Sequence, residues 1–444
     1  MRLGVGLWPR GGLWRHADFL KLWSAETISQ LGTQVSLLAL PLVAIITLEV
    51  SAFEVALLGV VEFAPFILVT LPAGVWVDRL RRLPILVAGD LGRAVLLATI
   101  PLAWALDVLT IWQLYAVGFG VGVCTVFFDV AYQSYLPSLV DRQQLVEGNA
   151  KLEVSRSGAQ IAGPAVAGPL VQLLTAPLAV LGDALSFAAS ALFLFRIRAH
   201  ETAPERAPKQ ERTPMRRELG EGLRYVLGHR YLRWIAASTA TFNFSGNVMW
   251  AIFLVYAVRV LDLSPSEIGL MFAIGNVGYL VGAITTGRLS AAIGVGPAIV
   301  LGAATGVSVL LVPLAPQSEP LPFLIAAQAI VGFGLPLYNV TQVSLRQAIT
   351  PERLQGRMNS VMRFIVWGVI PLGSLAGGAL ATATDLKVAI WVGAIGSAVA
   401  FLPVLLSPVR SLRRVPEPAE EPLPEGEALA AAGPAPRATV DEHA

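Results

Sequence analysis

Charge is scarce in this chain. Asp, Glu, Lys and Arg make up 14% of its 444 residues, against roughly 25% in ordinary soluble domains. A soluble protein of this length would bury a large core, but it would need more polar surface than this. Cysteine is nearly absent too: the one thiol, Cys124, lies in an apolar run, so neither an intrachain disulfide nor a zinc or redox spacing can be drawn. Four histidines offer no metal cluster and no Ser-His-Asp or Cys-His set, which speaks against an enzyme. No glycine-rich phosphate loop appears, so neither a cofactor nor direct ATP drive is expected. The net charge of +2 gives no electrostatic reason for a nucleic-acid partner. The opening "MRLGVGLWPRGGLWRHADF" lacks the basic-then-apolar layout and small-residue cleavage site of a signal peptide.

What the chain has instead is hydrophobic length, with 55% apolar residues. Segments of about 20 residues recur, the length that crosses roughly 30 Å of hydrocarbon as helix. They fall near 20–47, 53–76, 84–106, 109–136, 148–173, 176–196, 231–258, 265–287, 295–315, 320–345, 359–383 and 387–407. The expectation is an all-α membrane protein with twelve transmembrane helices. Internal Gly and Pro are tolerated there because neighbouring helices re-satisfy the freed backbone.

Basic residues set the orientation. Of the 32 Lys and Arg, only Arg259 and Lys387 fall in connections after odd-numbered spans. Positive charge stays cytoplasmic, so both termini are expected inside a plasma membrane. The chain also repeats weakly at about 209 residues. Arg79 in "GVWVDRLRR" matches Arg288 in "GAITTGRLS", and "LPSLVDRQQLVEGN" (136–149) matches "RQAITPERLQGRMN" (346–359). Parallel six-helix halves are one repeat plan of secondary transporters, with the substrate site between them. The expected organisation is an N-terminal half, 1–196; a linker, 197–230, holding a short surface helix; a C-terminal half, 231–407; and a disordered Pro/Glu/Ala tail, 408–444.

Ionisable residues inside spans are costly and face protein or water, so each is a candidate. The N-half holds Glu26, Glu62, Asp90, Arg93, Asp129, Glu153, Arg156 and Asp183; the C-half holds almost none beyond Arg363. Asp90/Arg93 and Glu153/Arg156 are i,i+3 pairs on one helix face, near the cytoplasmic side with Asp129. A structural salt-bridge cluster near the inner gate is expected, with contact to a coupling ion or substrate as the alternative. Asp183 reads as a structural hydrogen-bonding group. Glu62 lies about nine residues, ~14 Å, from the outer end of the second span, with no basic residue in its own span. Proton coupling, binding of a cationic substrate and a protonated structural role all remain open for it. Glu26 and Asp129 are the other proton-coupling candidates. The aromatics Trp250, Phe253, Tyr256, Phe272, Tyr338 and Trp367 lie in C-half spans; each either lines an apolar substrate cavity or packs.

At "GVWVDRLRR" (74–82) the residues resemble the major facilitator superfamily, whose loop between spans two and three is usually written G-x-L-A-D-R-x-G-R-K. Gly74, Asp78, Arg79 and Arg82 fit; Trp76 and Arg81 depart from the pattern. "FFDVAYQSYLPSLVDRQQLVEGNA" (127–150), "GPAVAGPLV" (163–171), "GDALSFAASALF" (182–193) and "ITPERLQGRMNS" (349–360) resemble its drug-efflux branch, which includes macrolide-efflux proteins and the enterobactin exporter. The resemblance implies that Asp78 and Arg79 belong to a latch between the halves, with Asp78 accepting from a helix N-terminus near Met358–Ser360. It also likens Gly158, Gly163, Pro164 and Gly168 to the antiporter motif of span five, where close helix packing is the simpler reading. The implied function is a monomeric exporter of amphipathic small molecules driven by proton antiport, surrounded by lipid. A proton-symport importer of a nutrient is the alternative, although the apolar C-half fits it less well.

Overall fold

The computed structural model describes residues 12–77, 80–141, 144–198 and 215–414. Asp78, Arg79 and the tail beyond Arg414 lie outside these residues. Every regular element among the described residues is helical. In the N-half these are α1 (Ala17–Leu42), α2 (Ala52–Leu68), α3 (Thr70–Val77), α4 (Arg82–Ala105), α5 (Ile111–Leu139), α6 (Leu145–Leu174) and α7 (Ala176–Phe195). A bridging helix, α8 (Met215–Gly228), leads to α9 (Leu232–Arg259), α10 (Pro265–Ile293), α11 (Val295–Ala304), α12 (Leu311–Leu314), α13 (Leu321–Ile349), α14 (Glu352–Ala383), α15 (Leu386–Val399) and α16 (Leu402–Leu405).

Among the described residues, ten segments are long and apolar enough to cross a bilayer. The other two expected spans are helical but fall short of that measure. The second is split at Val69 into α2 and α3, four residues past Pro65. The fifth, α6, opens with Glu147, Lys151, Glu153 and Arg156 and continues rich in Gly, Gln and Pro. Another difference is at α14, which begins at Glu352 rather than near 359. Met358 to Ser360 therefore lie inside the helix, where backbone N–H groups are already bonded, and offer no free helix start to Asp78.

The two halves share one packing plan. In the first, α1 packs on α6 and α7, α4 on α5 and α7, and α2 on α5. In the second, α9 packs on α14 and α15, α11 on α13, and α10 on α13. Across the middle α2 meets α14 and α6 meets α10, the same pair of positions exchanged between copies. The sequence repeat thus reappears as a repeat of contacts. Even the caps correspond: Ser51 and Ser264 each close a capping box with the Glu three residues on, satisfying helix-start N–H groups.

The apolar cores show how the halves are joined. At the end holding the caps at Ser51 and Ser264, one core runs through both halves, from Val35–Ile45 and Val55–Leu58 to Met249–Leu263 and Met271. At the opposite, basic end there are two separate cores. One, around Leu13, Leu86 and Tyr135, belongs to the N-half; the other, around Tyr231, Leu345 and Met358, belongs to the C-half. The molecule is clasped at the capped end and parted at the basic end. Lipid gives helices little hydrophobic reason to associate, so small residues that allow close approach carry the joint. Side chains at Gly168 or Gly269 would collide with the Pro265 or Pro164 carbonyl of the facing helix. Below the cleft α8 rests on α14, with Val226 buried and Arg357 Nη1 bonded to Glu221 Oε2 at 2.6 Å.

Arg259 adds a polar tie at the clasp. Its guanidinium donates to the carbonyls of Val50 at 2.8 Å and Ile45 at 3.3 Å, just where α1 ends in a π-helical turn, Val43–Thr47. Arg259→Gln should loosen this end. Losing about 1.4 kcal/mol shifts a two-state ratio ten-fold, within reach of two hydrogen bonds from a charged donor. Spin labels at Val108 and Ser318, one per half, should show a larger population of long distances in the variant. An unchanged distribution would mean that the apolar core alone holds the clasp.

Candidate functional site

The largest concentration of intramembrane charge surrounds a cavity of about 460 Å³ within the N-half. Glu26, Gln30 and Thr33 reach it from α1, Glu62 and Phe66 from α2, Asp129 and Tyr132 from α5, and Arg156 from α6. Arg93 of α4 and Asp183 of α7 complete the charged lining. The sequence candidates Glu26, Glu62 and Asp129, on three different helices, are therefore gathered around one space.

Their bonding separates them. Arg93 is sealed into a polar knot. It pairs with Asp90 one helical turn away, and Ser190 donates to the other Asp90 oxygen at 2.6 Å. The guanidinium lies between the rings of Phe128 and Phe187, 4.4 and 4.1 Å from their centroids. Asp90 is wholly buried and Arg93 nearly so; a pair so removed from water needs every partner it has. Asp183, also buried, accepts from Ser186 at 2.9 Å, the hydrogen-bonding part expected of it. Glu26 takes one bond from Gln30 at 2.7 Å, and its other oxygen is buried with no hydrogen-bond partner.

Glu62 and Asp129 make no hydrogen bond or ion pair among the described residues. Asp129 opens on the cavity and senses the positive charges of Arg93 and Arg156. Glu62 has no such neighbour. Its side chain lies against Gly118, and a Cβ at Gly122, one turn on, would strike the Glu62 carbonyl and Pro65. These two glycines let α2 press onto α5 and set Glu62 at the cavity wall.

Other expected residues are placed differently. Glu153 and Arg156 form no ion pair among the described residues, so only the Asp90/Arg93 half of the expected cluster pairs. Gly74 has open space around it, and Arg82 opens α4. Of the span-five motif, Gly163 lies against Gln34 of α1, Pro164 and Gly168 lie against α10, and Gly158 touches nothing on another element. Trp250, Phe253 and Phe272 are not among the residues lining either the N-half cavity or the C-half cavity. They stack on one another, 4.7 to 6.4 Å between ring centroids, within the core that clasps the halves, and Tyr256 is buried beside them.

Tyr338 and Trp367 do line a cavity, of about 210 Å³, in the C-half. Its lining is mostly apolar, with several hydroxyls and amides, and carries no charged side chain among the described residues. The Tyr338 and Thr239 hydroxyls lie 2.6 Å apart, and Asn243 Nδ2 donates to the Val366 carbonyl at 2.9 Å. Trp367 is 46% exposed, and its ring lies 6.2 Å from that of Phe63 in the other half. Sequence reasoning missed this neutral pocket, since Thr and Asn in a span carry no signal by themselves. It also missed Arg346, buried in α13 and held by Gln342 and Asn359, both at 3.1 Å.

Comparisons with known proteins agree with this architecture. A model of the family described as "Transmembrane secretion effector" matches residues 13–432. The chain is 27% identical over 352 residues to the multidrug efflux pump Tap of Mycolicibacterium fortuitum, covering 76% of this chain and 82% of that protein. It is 23% identical over 361 residues to macrolide efflux protein A of Streptococcus pyogenes, covering 80% and 87%. Among solved structures, a bacterial homologue of the iron transporter ferroportin in its inward-facing state superposes with a TM-score of 0.70 at 19% identity, over 89% of this chain and 99% of that one.

The Arg93 knot yields a direct test. Removing one partner leaves a buried uncompensated charge, at a cost of about 3–5 kcal/mol. Arg93→Leu and Asp90→Leu should each lower the melting temperature and the monodisperse yield sharply. The double variant should recover much of the loss. A double variant as unstable as the sum of the two singles would show that the groups act independently.

Proposed function

The chain belongs to the transmembrane secretion effector family of major facilitator transporters, and from that premise we propose that it exports amphipathic small molecules across the cell membrane in exchange for protons. The observation that carries this reading is Glu62, a carboxylate within the bundle that lines the cavity without an ionic or hydrogen-bonding partner among the described residues. An isolated carboxylate near the middle of a bilayer costs roughly 2.5–3.5 kcal/mol on insertion scales. Two things remove that cost: a proton, or a cationic cargo. Occupancy by one excludes the other, which is the requirement for exchange. Alternating access then exposes the site to one side at a time, each state favouring the occupant supplied from that side.

The polarity follows from the basic residues. Lys and Arg collect at the end where the halves part, and positive charge is retained in the cytoplasm. The opening therefore faces the cytoplasm, and both termini and the 197–230 linker lie there. Asp78 and Arg79 form the latch that closes this end, and segments 1–196 and 231–407 are the two moving halves. Export rather than import is supported by the relatives whose names are those of efflux proteins. One copy of the chain holds both cavities, so the unit of transport is the monomer.

In proteoliposomes with an imposed proton gradient, Glu62→Gln should abolish uphill, protonophore-sensitive transport while downhill flux of the same compound persists. Full uphill transport with unchanged pH dependence would exclude Glu62 as the proton carrier. Orientation is checked with a membrane-impermeant thiol reagent on intact cells. Cysteines at Ser51 and Gln317 should react and one at Gln210 should not; the reverse pattern would invert the polarity. Asp78→Asn should weaken efflux without loss of inserted protein, and normal efflux would leave the charged turn with a topological role alone.

A further inference from the structure

The two cavities have opposite chemistry. The N-half cavity presents carboxylates. The C-half cavity, between α9, α11, α13 and α14, presents Thr239, Asn243, Tyr338 and Asn339 against walls that include Phe242 and Trp367. Arg346, the buried cation of this half, is not among its lining residues.

Hydrogen-bond valence shows which of these groups remain open. The Tyr338 hydroxyl is engaged with Thr239 and the Ile235 carbonyl. Asn243 spends its amide N–H on the Val366 carbonyl, which leaves its side-chain oxygen available to accept. Asn339 faces the cavity with neither end of its amide bonded among the described residues. An amide has two donor hydrogens and a carbonyl, so the pocket offers both donor and acceptor and no charge. At about 210 Å³ it is smaller than the roughly 300–1,000 Å³ of a complete drug-sized site, so it holds one end of a molecule. Trp367 forms part of its wall, and the Trp367 ring meets Phe63, the residue after Glu62. The neutral pocket and the acidic face thus adjoin across the joint between the halves.

Building on the export reading above, we infer that the C-half pocket is a second subsite for the same cargo, and that the cargo class is an amphiphile with two unlike ends. A basic nitrogen is taken by Glu62. An uncharged, oxygen-bearing end, such as a hydroxylated ring or a lactone, is taken by Asn339 and the Asn243 oxygen. The apolar middle lies along Phe63 and Trp367. Specificity is divided accordingly: the N-half selects for charge, and the C-half for neutral hydrogen-bonding groups.

The test is equilibrium binding to the purified full-length protein in detergent, with two probes. Erythromycin carries a basic amine and a neutral oxygen-rich ring; tetraphenylphosphonium is a cation with no hydrogen-bonding group. Asn339→Ala should weaken erythromycin binding about five- to ten-fold, the scale of one neutral hydrogen bond, and leave tetraphenylphosphonium within about two-fold. Glu62→Gln should weaken both. Asn339 makes no side-chain hydrogen bond among the described residues, so its variant should melt as the parent does. Equal weakening of both probes by Asn339→Ala, no effect on erythromycin, or no binding of erythromycin by the parent would overturn the subsite. The expected binding pattern without uphill efflux in vesicles would leave the subsite standing and defeat the export reading instead.

Discussion

A charge inside a bilayer must be paired, hydrated or neutralised, and the arrangement of the N-half follows from how its charges meet that demand. Arg93 is paired within the knot, although its Nε is buried without a hydrogen-bond partner. Asp90 pairs with it, Ser190 steadies Asp90, and two phenyl rings cover the guanidinium faces. With that cation fixed in the structure, the carboxylates around the cavity are left to find other partners. Asp129, the more exposed of the two, lies in the field of Arg93 and Arg156; Glu62 has no such positive neighbour. By holding Arg93, the knot limits which acids around the cavity can pair with it.

The second constraint is the uneven joint between the halves. One apolar core crosses the joint at the capped end and two separate cores lie at the other. The aromatic group of Trp250, Phe253 and Phe272 packs in or against the crossing core, which accounts for side chains with the composition of a drug pocket lining neither of the two cavities.

Hydrophobic length and the distribution of Lys and Arg made the helical bundle legible in the sequence, and the weak repeat made its doubling legible. Charge inside spans picked out Glu26, Glu62 and Asp129, because an acid in an apolar run is conspicuous wherever it points. Spacing alone failed for Glu153 and Arg156. They share a helix face, but both are exposed and they form no ion pair with each other. It failed also for the aromatics, whose side-chain direction depends on the crossing of helices. Asn243 and Asn339 were hidden for the opposite reason, since single amides in spans are ordinary and only the assembled pocket shows which bonds remain unmade. The onset of α14 was misread because its first turn is polar, and hydropathy follows the lipid rather than the helix.

The break at Val69 separates two duties of the second span. Glu62 and Phe63 sit on α2, which the Gly118 and Gly122 contacts hold tightly to α5. The inner part of the span, α3, is continuous with α2 only through the interruption. A rigid rod would force every tilt of that inner part upon the carboxylate. A rod with a joint lets α3 take its own angle while the acid on α2 keeps its place.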